Sequence, residues 1–342
     1  MVIDLNDFDE GTVGPWEWDL KRLVASVNVA ARENGLDRDE RRSAVMKAVY
    51  GYRLNARRLQ AFGVMDLWYL HSYPGRDNPL FDLDPKTKAV FAKTILKAEH
   101  TTSETLLLKT CHRDVDGGWR FFEESPVLTR VDDETARKIV GGFADYCETL
   151  PTARRYMLKR YKVVDIAHRI VGVGSVGTRA YLVLMFGSGD EDPLFLQVKE
   201  AAPAAHAPYL PPLPELIRHE GARVVATQRA LQASIDVLLG STTIDGRPYY
   251  VRQMKNMKAS IPLEWLVGAP FEEYAFICGA ILARAHARTG DVAKIANYCG
   301  KSEDLDEALA DFAEAYGDQT ERDHDRLVKA IKAGKVAAVE GV

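Results

Sequence analysis

Helical periodicity dominates the two ends of this chain. From about 15 to 34 the apolar residues recur every three or four positions and form one stripe: Leu20, Leu23, Val24, Val27 and Ala31. Such a stripe is typical of an amphipathic helix that covers a core. Asp37 and Glu40 have the spacing of a capping box, which predicts a second helix up to about Phe62. Capping signals predict that two further helices start near 84 and 132. Apolar periodicity predicts three more, over 221–239, 270–286 and 305–333.

The middle of the chain changes to the two-residue alternation of strands. Between 194 and 199 three aliphatic residues alternate with a set that ends in Lys199, so the lysine faces away from the aliphatic side. An apolar run over 178–186 precedes this strand, and the Gly/Asp-rich stretch over 187–193 predicts a hairpin turn. Another strand is predicted over 247–254. The first ten residues are predicted as a strand that runs into an acidic turn.

These patterns predict an α+β protein with two lobes. A mainly antiparallel sheet lobe over 162–265 would contain the glycine-rich segment and Lys199. It would pack against a helical lobe built from both ends of the chain, 1–161 and 266–342.

Composition narrows the class of protein. Hydrophobic residues make up 46% of the chain and charged residues 27%, which is ordinary for a globular protein. The net charge of −4 argues against a general binder of nucleic acid or of anionic membranes. The four cysteines include no Cys-x-x-Cys pair, so neither a zinc knuckle nor a disulfide framework is predicted. With no signal peptide and no apolar stretch near the roughly 18 residues of a membrane span, we expect a cytoplasmic protein.

A glycine-rich segment carries the strongest functional signal. Gly172, Gly174 and Gly177 have the spacing Gly-x-Gly-x-x-Gly, with Ser175 between them. Glycines so placed let backbone N–H groups approach a phosphate closely. Protein kinases combine a loop of this kind between two strands with a lysine on the following strand, the position of Lys199.

Two other interpretations of this segment stay open. A dinucleotide-binding unit would place a helix after Gly177 and an acid about 20 residues further on, where Asp190 and Asp192 occur. A plain glycine-rich hairpin with a snorkelling lysine would need no ligand.

Oxygen ligands are densest at the start of the chain, where Asp4, Asn6, Asp7, Asp9 and Glu10 occur within seven residues. Magnesium beside a nucleotide is usually held by one or two carboxylates together with phosphate oxygens. Asp7 and Asp9 are therefore candidate magnesium ligands. The alternative is an acidic turn that only complements the positive end of the next helix.

A second group of candidate site residues lies at the C-terminal end of the helix predicted over 270–286. His286, Arg288 and Asp291 can converge on a cleft and meet a phosphate or a metal. Alternatively, Gly290 ends this helix and Asp291 only caps the next one.

Several motifs, taken together, resemble the bacterial family called domain of unknown function 2252. They are NDFDE, GPWEWDLKRL, VGVGSVGTR, LFLQVKEA, RVV-x-x-Q, YYVRQM and LARAHARTGD, and they run in family order from Met1 to about Lys332. The family is grouped with kinase-like folds. Its members normally carry a Gly-Asp-x-His-x-x-Asn segment before NDFDE, so the resemblance implies that this chain lacks an N-terminal segment.

The resemblance implies a kinase-like fold in permuted order, because the acidic NDFDE precedes the glycine loop in sequence. By that analogy Asp7 or Asp9 binds magnesium, Gly172, Gly174 and Gly177 cover the phosphates, and Lys199 pairs with them. Kinases also pair the strand lysine with a glutamate on the next helix, but 221–235 contains no acid. Only Glu220, or Gln228 as a neutral substitute, is available for that pairing.

We therefore expect a kinase-like protein that binds ATP and magnesium. It would be either a phosphotransferase with an unknown small-molecule or protein acceptor, with Asp7, His286, Arg288 and Asp291 as candidate catalytic residues, or a nucleotide-binding pseudoenzyme. The missing segment favours weak nucleotide binding with little transfer. The third hypothesis is a dinucleotide-dependent oxidoreductase.

Overall fold

The computed structural model describes residues 2–73, 78, 80–170, 177–214, 217–254 and 258–338. They form a mixed α and β protein whose strands pair antiparallel. The predicted α+β class is therefore confirmed.

The described helices account for both ends of the chain and for a series of short elements between them. They are α1 (Trp16–Glu33), α2 (Arg38–Leu59), α3 (Val64–Tyr69), α4 (Pro85–Glu99), α5 (Ser103–Thr110), α6 (Asp133–Gly141), α7 (Phe143–Glu148), α8 (Thr152–Leu158), α9 (Glu220–Leu231), α10 (Ala269–Thr289), α11 (Val292–Cys299) and α12 (Asp304–Lys332). The capping box of Asp37 and Glu40 is present, and Asp84 and Asp132 cap α4 and α6 as their positions predict. In the described part of the chain, none of the helices combines the length and apolar character that a membrane span requires.

The strands form a six-stranded sheet and a separate hairpin. They are β1 (Cys111–Arg113), β2 (Trp119–Phe121), β3 (Leu128–Arg130), β4 (Lys162–Arg169), β5 (Ala180–Phe186), β6 (Pro193–Glu200), β7 (Gly240–Ile244) and β8 (Arg247–Gln253). The sheet order is β3-β4-β5-β6-β8-β7, and β1 pairs with β2.

The predicted hairpin around the glycine-rich segment is present. Strands β4 and β5 pair antiparallel, with Ala167 opposite Leu182 and His168 opposite Tyr181. A strand, not a helix, begins at Ala180. Residues 178–186 therefore lack the crossover helix that a dinucleotide-binding unit requires.

Three local predictions are wrong. Residues 2–8 form no strand: their backbone is irregular, because no neighbouring strand pairs with them. The helix predicted over 221–239 ends at Leu231, and β7 begins at Gly240. Strands β1 to β3 lie in a region predicted as mostly helical; at three residues each, they are too short to show an alternation pattern.

Two helices cross very closely in the helical core. A Cβ on Gly279 of α10 would lie 2.0 Å from the Ala48 carbonyl oxygen of α2. A Cβ on Gly51 of α2 would lie 2.3 Å from the Phe276 carbonyl oxygen of α10. Glycine at both positions lets the two backbones approach, and the surrounding cluster also includes residues of α1, α4, α11 and α12.

Each face of the sheet packs against a different set of elements. On one face, Val183, Leu196 and Val198 pack against residues of α6, α7 and α8. On the other, Leu184 and Phe195 pack against residues of α5, β1 and β2. Lys199 belongs to this second face, because it is an even number of residues from Phe195.

The sheet draws on residues ahead of 162 as well as on the predicted segment 162–265. Its edge strand β3 pairs with β4, with Leu128 opposite Arg169. Ile139, Tyr146 and Leu158 from α6 to α8 are buried in the same cluster as the sheet residues. The region over 103–158 thus packs with the sheet, where the sequence pattern had assigned it to the helical part.

The close crossing of α2 and α10 gives a first prediction. We expect Gly279→Ala to lower the free energy of unfolding by about 1–3 kcal/mol, because the new methyl group meets rigid backbone and the helices must separate. Gly141→Ala at the end of α6 is the matched control, since no atom lies within 4 Å of its Cβ position. Urea denaturation followed by circular dichroism measures both. Equal stability of the two variants would contradict the close crossing.

Candidate functional site

The acidic N-terminal residues form a tight turn beside the sheet. The Gly11 N–H closes the turn by donating to the Phe8 carbonyl at 2.9 Å. Asp7 has a φ of 67°, a left-handed conformation that aspartate tolerates better than most residues. Phe8 is buried against apolar residues of α9 and against Tyr250 of β8. One apolar side chain thus anchors the turn, and Asp7 and Asp9 flank it.

The strand lysine meets this turn. Lys199 of β6 lies opposite Ala180 of β5 and Tyr250 of β8. Its ammonium forms an ion pair with the Asp9 carboxylate. The side chains of Lys199 and Asp9 are 16% and 32% exposed, so the pair is shielded but open to a ligand from solvent.

Tyr250 is buried beside the Asp9 carboxylate. Burial raises the pKa of Tyr250 above its ordinary value, and the nearby Asp9 carboxylate adds to this shift, so the phenol stays protonated. Asp9 therefore lies near one charged group, Lys199, and one neutral group.

The kinase analogy gave Lys199 two candidate partners on the helix that follows its strand, Glu220 and Gln228. In the structure, both of these side chains have other partners. Glu220 forms an ion pair with Arg223 one turn along α9. The Gln228 side chain donates to Gln232 at 2.9 Å. The carboxylate that Lys199 meets belongs to Asp9, 190 positions earlier in the chain.

A buried arginine on α9 holds the turn in place. Arg223 is 1% exposed and donates to the backbone carbonyls of Asp9 and Ala202, both at 2.8 Å, and to that of Gly11. Its Nε donates to the Glu220 carboxylate at 2.5 Å. One guanidinium therefore joins the N-terminal turn, the segment after β6 and helix α9.

A second buried arginine anchors the chain ahead of the turn. Arg284 of α10 is fully buried and pairs with the Asp4 carboxylate. Asp4 also accepts from the Ala233 N–H at 2.8 Å, and Gln232 donates to the Leu5 carbonyl at 2.7 Å. The irregular N-terminal segment is thus held by side chains where a strand would use backbone pairing.

The acidic turn fits the ligand chemistry of magnesium. Asp9 offers a partly exposed carboxylate beside Lys199, and the Asp7 side chain is 68% exposed, with Arg22 at 3.9 Å. Among the described residues, no group of three or more His, Cys, Asp or Glu side chains is arranged to hold a metal by itself. A magnesium ion at this turn would therefore need further ligands from outside these side chains.

Most of the glycine-rich segment cannot be compared with its predicted role. Gly172, Gly174 and Ser175 lie outside the described residues. Gly177 is described and has a φ of 87°, a conformation that side-chain-bearing residues rarely adopt. It comes three residues before β5 and so lies at the Lys199 end of the sheet.

His286 lies in a polar group among helices. Its Nδ1 is 2.8 Å from the Tyr52 hydroxyl, and its Nε2 is 3.2 Å from an Asp19 carboxylate oxygen. The ring of Trp16 stacks on Tyr52. These partners come from α1 and α2, and none of them belongs to the turn or the sheet.

Arg288 and Asp291 have partners of their own. Arg288 donates to the carbonyls of Ala230 and Trp68, at 3.0 and 2.7 Å, and its guanidinium stacks over the Trp68 ring. Asp291 caps α11 through the Lys294 N–H at 3.1 Å. This bond lowers the pKa of Asp291, so the capping interpretation accounts for the residue. The described contacts do not bring His286, Arg288 and Asp291 together with Lys199 or Asp9.

Sequence reasoning missed the two buried arginines, Arg223 and Arg284. Both lie in motifs that carried the family resemblance, RVV-x-x-Q and LARAHARTGD. Their burial was not detectable, because Arg223 bonds mainly to backbone carbonyls and Arg284 pairs with an acid 280 positions away.

Fold and site together define a mixed α and β protein in which an acidic turn meets a strand lysine on one face of an antiparallel sheet. The family model described as "Uncharacterized protein conserved in bacteria (DUF2252)" matches residues 1–330, and the chain belongs to this family. The resemblance drawn from the motifs is confirmed to that extent. No curated protein and no solved structure matches the chain.

The position of Arg223 gives a second prediction. We expect Arg223→Met to lower the free energy of unfolding by about 3–5 kcal/mol, because it leaves buried carbonyl oxygens and the Glu220 carboxylate without their donor. Thermal and urea unfolding measure the change. Arg137→Met on the exposed side of α6 is the control and should change stability by less than about 0.5 kcal/mol. A similarly small effect of Arg223→Met would show that the turn does not depend on this guanidinium.

Proposed function

We propose that this protein binds a magnesium nucleotide, with ATP as the leading candidate, in a kinase-like and permuted two-lobed arrangement. The observation that carries the proposal is the contact between Lys199 and Asp9. A lysine on a central strand and a carboxylate from a distant turn meet at the end of the sheet where Gly177 precedes β5. Kinases use a lysine and a magnesium-binding aspartate in this way to hold nucleotide phosphates.

Each residue has a distinct task in this proposal. Lys199 pairs with phosphate oxygens, and Asp9, with or without Asp7, directs carboxylate oxygens to the magnesium ion. The magnesium ion would supply charge neutralisation between the phosphates and Asp9. The protonated phenol of Tyr250 lies beside the Asp9 carboxylate and adds no charge to the site.

Binding has more support than phosphoryl transfer. Transfer needs a group that positions the attacking hydroxyl of an acceptor. The residues expected to do this, His286, Arg288 and Asp291, have their described contacts with helix residues instead. A nucleotide-binding pseudoenzyme is therefore the second candidate beside a phosphotransferase of unknown acceptor. A dinucleotide-dependent oxidoreductase would need a helix after Gly177, where this protein has strand β5.

Lys199 provides the first test of this proposal. Mg-ATP should raise the melting temperature of the wild-type protein, and Lys199→Met should weaken Mg-ATP binding at least about tenfold through loss of a charge-assisted contact. Titration calorimetry gives the affinity, and circular dichroism checks that the variant is folded. Lys294→Met is the control, because that exposed lysine pairs with Asp291 on α11.

Two outcomes of this test would contradict the proposal. One is an unchanged affinity of Lys199→Met for Mg-ATP. The other is a thermal shift with NADH as large as that with Mg-ATP. Release of phosphate from ATP that requires Asp9 would favour the phosphotransferase over the pseudoenzyme, and tight binding without release would favour the pseudoenzyme.

The acidic turn gives a separate prediction about magnesium. Asp9→Asn should reduce the magnesium-dependent part of ATP binding, because a neutral amide is a poorer ligand for a hard cation than a carboxylate. Asp7→Asn, at an exposed position, tests whether the second acid contributes. Calorimetry with and without magnesium separates the two effects. Equal loss of binding with and without magnesium would assign Asp9 to the turn structure alone.

A further inference from the structure

Arg169 lies on the same row of the sheet as Lys199. His168 of β4 pairs with Tyr181 of β5, which places Ala180 opposite Arg169. Ala180 in turn pairs with Lys199 on β6. Because directly opposed residues share a face, the two cations flank the small Ala180. Two strand spacings separate their backbones by about 10 Å, within the combined reach of the two side chains.

The guanidinium of Arg169 has no acidic partner among the described residues, whereas a buried guanidinium is normally paired. Its Nη1 atom is buried and has no hydrogen-bond partner in the part of the chain that the structure describes. Burial lowers the pKa of Arg169. Arg179 shows the contrast: it lies near the same end of the sheet but pairs with Glu200, which raises the pKa of Arg179.

The next pair of residues on the same face of the sheet, Gln197 and Arg252, adds positive charge to this face. Arg252 of β8 donates to the neutral Gln197 side chain at 2.9 Å. Neither Arg252 nor Arg169 makes an ion pair with a described residue, whereas Lys199 pairs with Asp9. The face therefore keeps positive charge that the described acids do not neutralise.

We propose that Arg169 is a second anion-binding residue, which together with Lys199 holds a di- or triphosphate chain over Ala180. This inference rests on the proposed function and specifies that the site binds the phosphate chain of the nucleotide. A guanidinium offers paired N–H donors to phosphate oxygens, so a phosphate supplies the acceptors that Arg169 lacks. A buried guanidinium nitrogen without a partner costs stability in the free protein, and binding of a phosphate would recover that cost.

Arg169→Met, with Arg179→Met as matched control, tests this assignment. The probes are Mg-ATP, inorganic tripolyphosphate and AMP, measured by titration calorimetry, with the melting temperature of the free proteins recorded alongside. We expect Arg169→Met to bind Mg-ATP and tripolyphosphate at least about tenfold more weakly. Wild type should bind AMP weakly, since a single phosphate does not span both cations. The free Arg169→Met protein should melt at the same or a higher temperature than wild type.

The outcomes separate this inference from the proposed function. Wild-type affinity of Arg169→Met, with loss of binding in Lys199→Met, would overturn the role of Arg169 and leave nucleotide binding intact. A melting temperature several degrees lower, with binding retained, would assign Arg169 to packing. If the wild-type protein binds tripolyphosphate but not Mg-ATP, the anion site is supported and the proposal that the ligand is a nucleotide is overturned. If wild type binds none of the three probes, both proposals fail.

Discussion

The arrangement of this protein depends on one buried guanidinium. The N-terminal residues form no strand, so backbone pairing cannot hold them against the sheet. Arg223 replaces that pairing by donating to carbonyls of the acidic turn and of the segment after β6. A planar group with five N–H donors suits this task, because it can satisfy several carbonyls at once without becoming neutral. Together with the buried Phe8 side chain, Arg223 therefore fixes the position of Asp9 relative to Lys199.

The charges around the site follow a single physical pattern. Paired cations and acids keep the structure together: Arg284 holds Asp4, and Arg223 holds Glu220. The residues proposed to bind ligand differ from these structural pairs. The pair of Lys199 and Asp9 is partly exposed, and Arg169 has no acid partner among the described residues. The structural charges are neutralised by described partners, whereas the residues of the proposed site would keep capacity for an anion and a hard cation.

The kinase analogy extends unevenly over this chain. The antiparallel order of β4, β5 and the lysine strand β6, and the aspartate beside Lys199, are the features on which the proposed analogy rests. The pairing of that lysine with a helix glutamate does not occur, because Glu220 is held by Arg223. The polar groups at the end of α10 serve helix packing and capping in their described contacts. The proposed binding of phosphate and magnesium therefore does not depend on these groups at the end of α10.

Local sequence determined the long helices, their caps and the hairpin at the glycine-rich segment. The signals for these elements lie within a few residues, as with Asp37 and Glu40 of the α2 capping box. The alternation up to Lys199 also determined which face of the sheet the lysine occupies. Tertiary structure alone decided the rest: strands β1 to β3, the irregular N-terminal segment, the burial of Arg223 and the meeting of Lys199 with Asp9. The physical reason is that three-residue strands are too short to show a periodic pattern, and that the N-terminal segment, Arg223 and Lys199 depend on partners about 200 or more positions away.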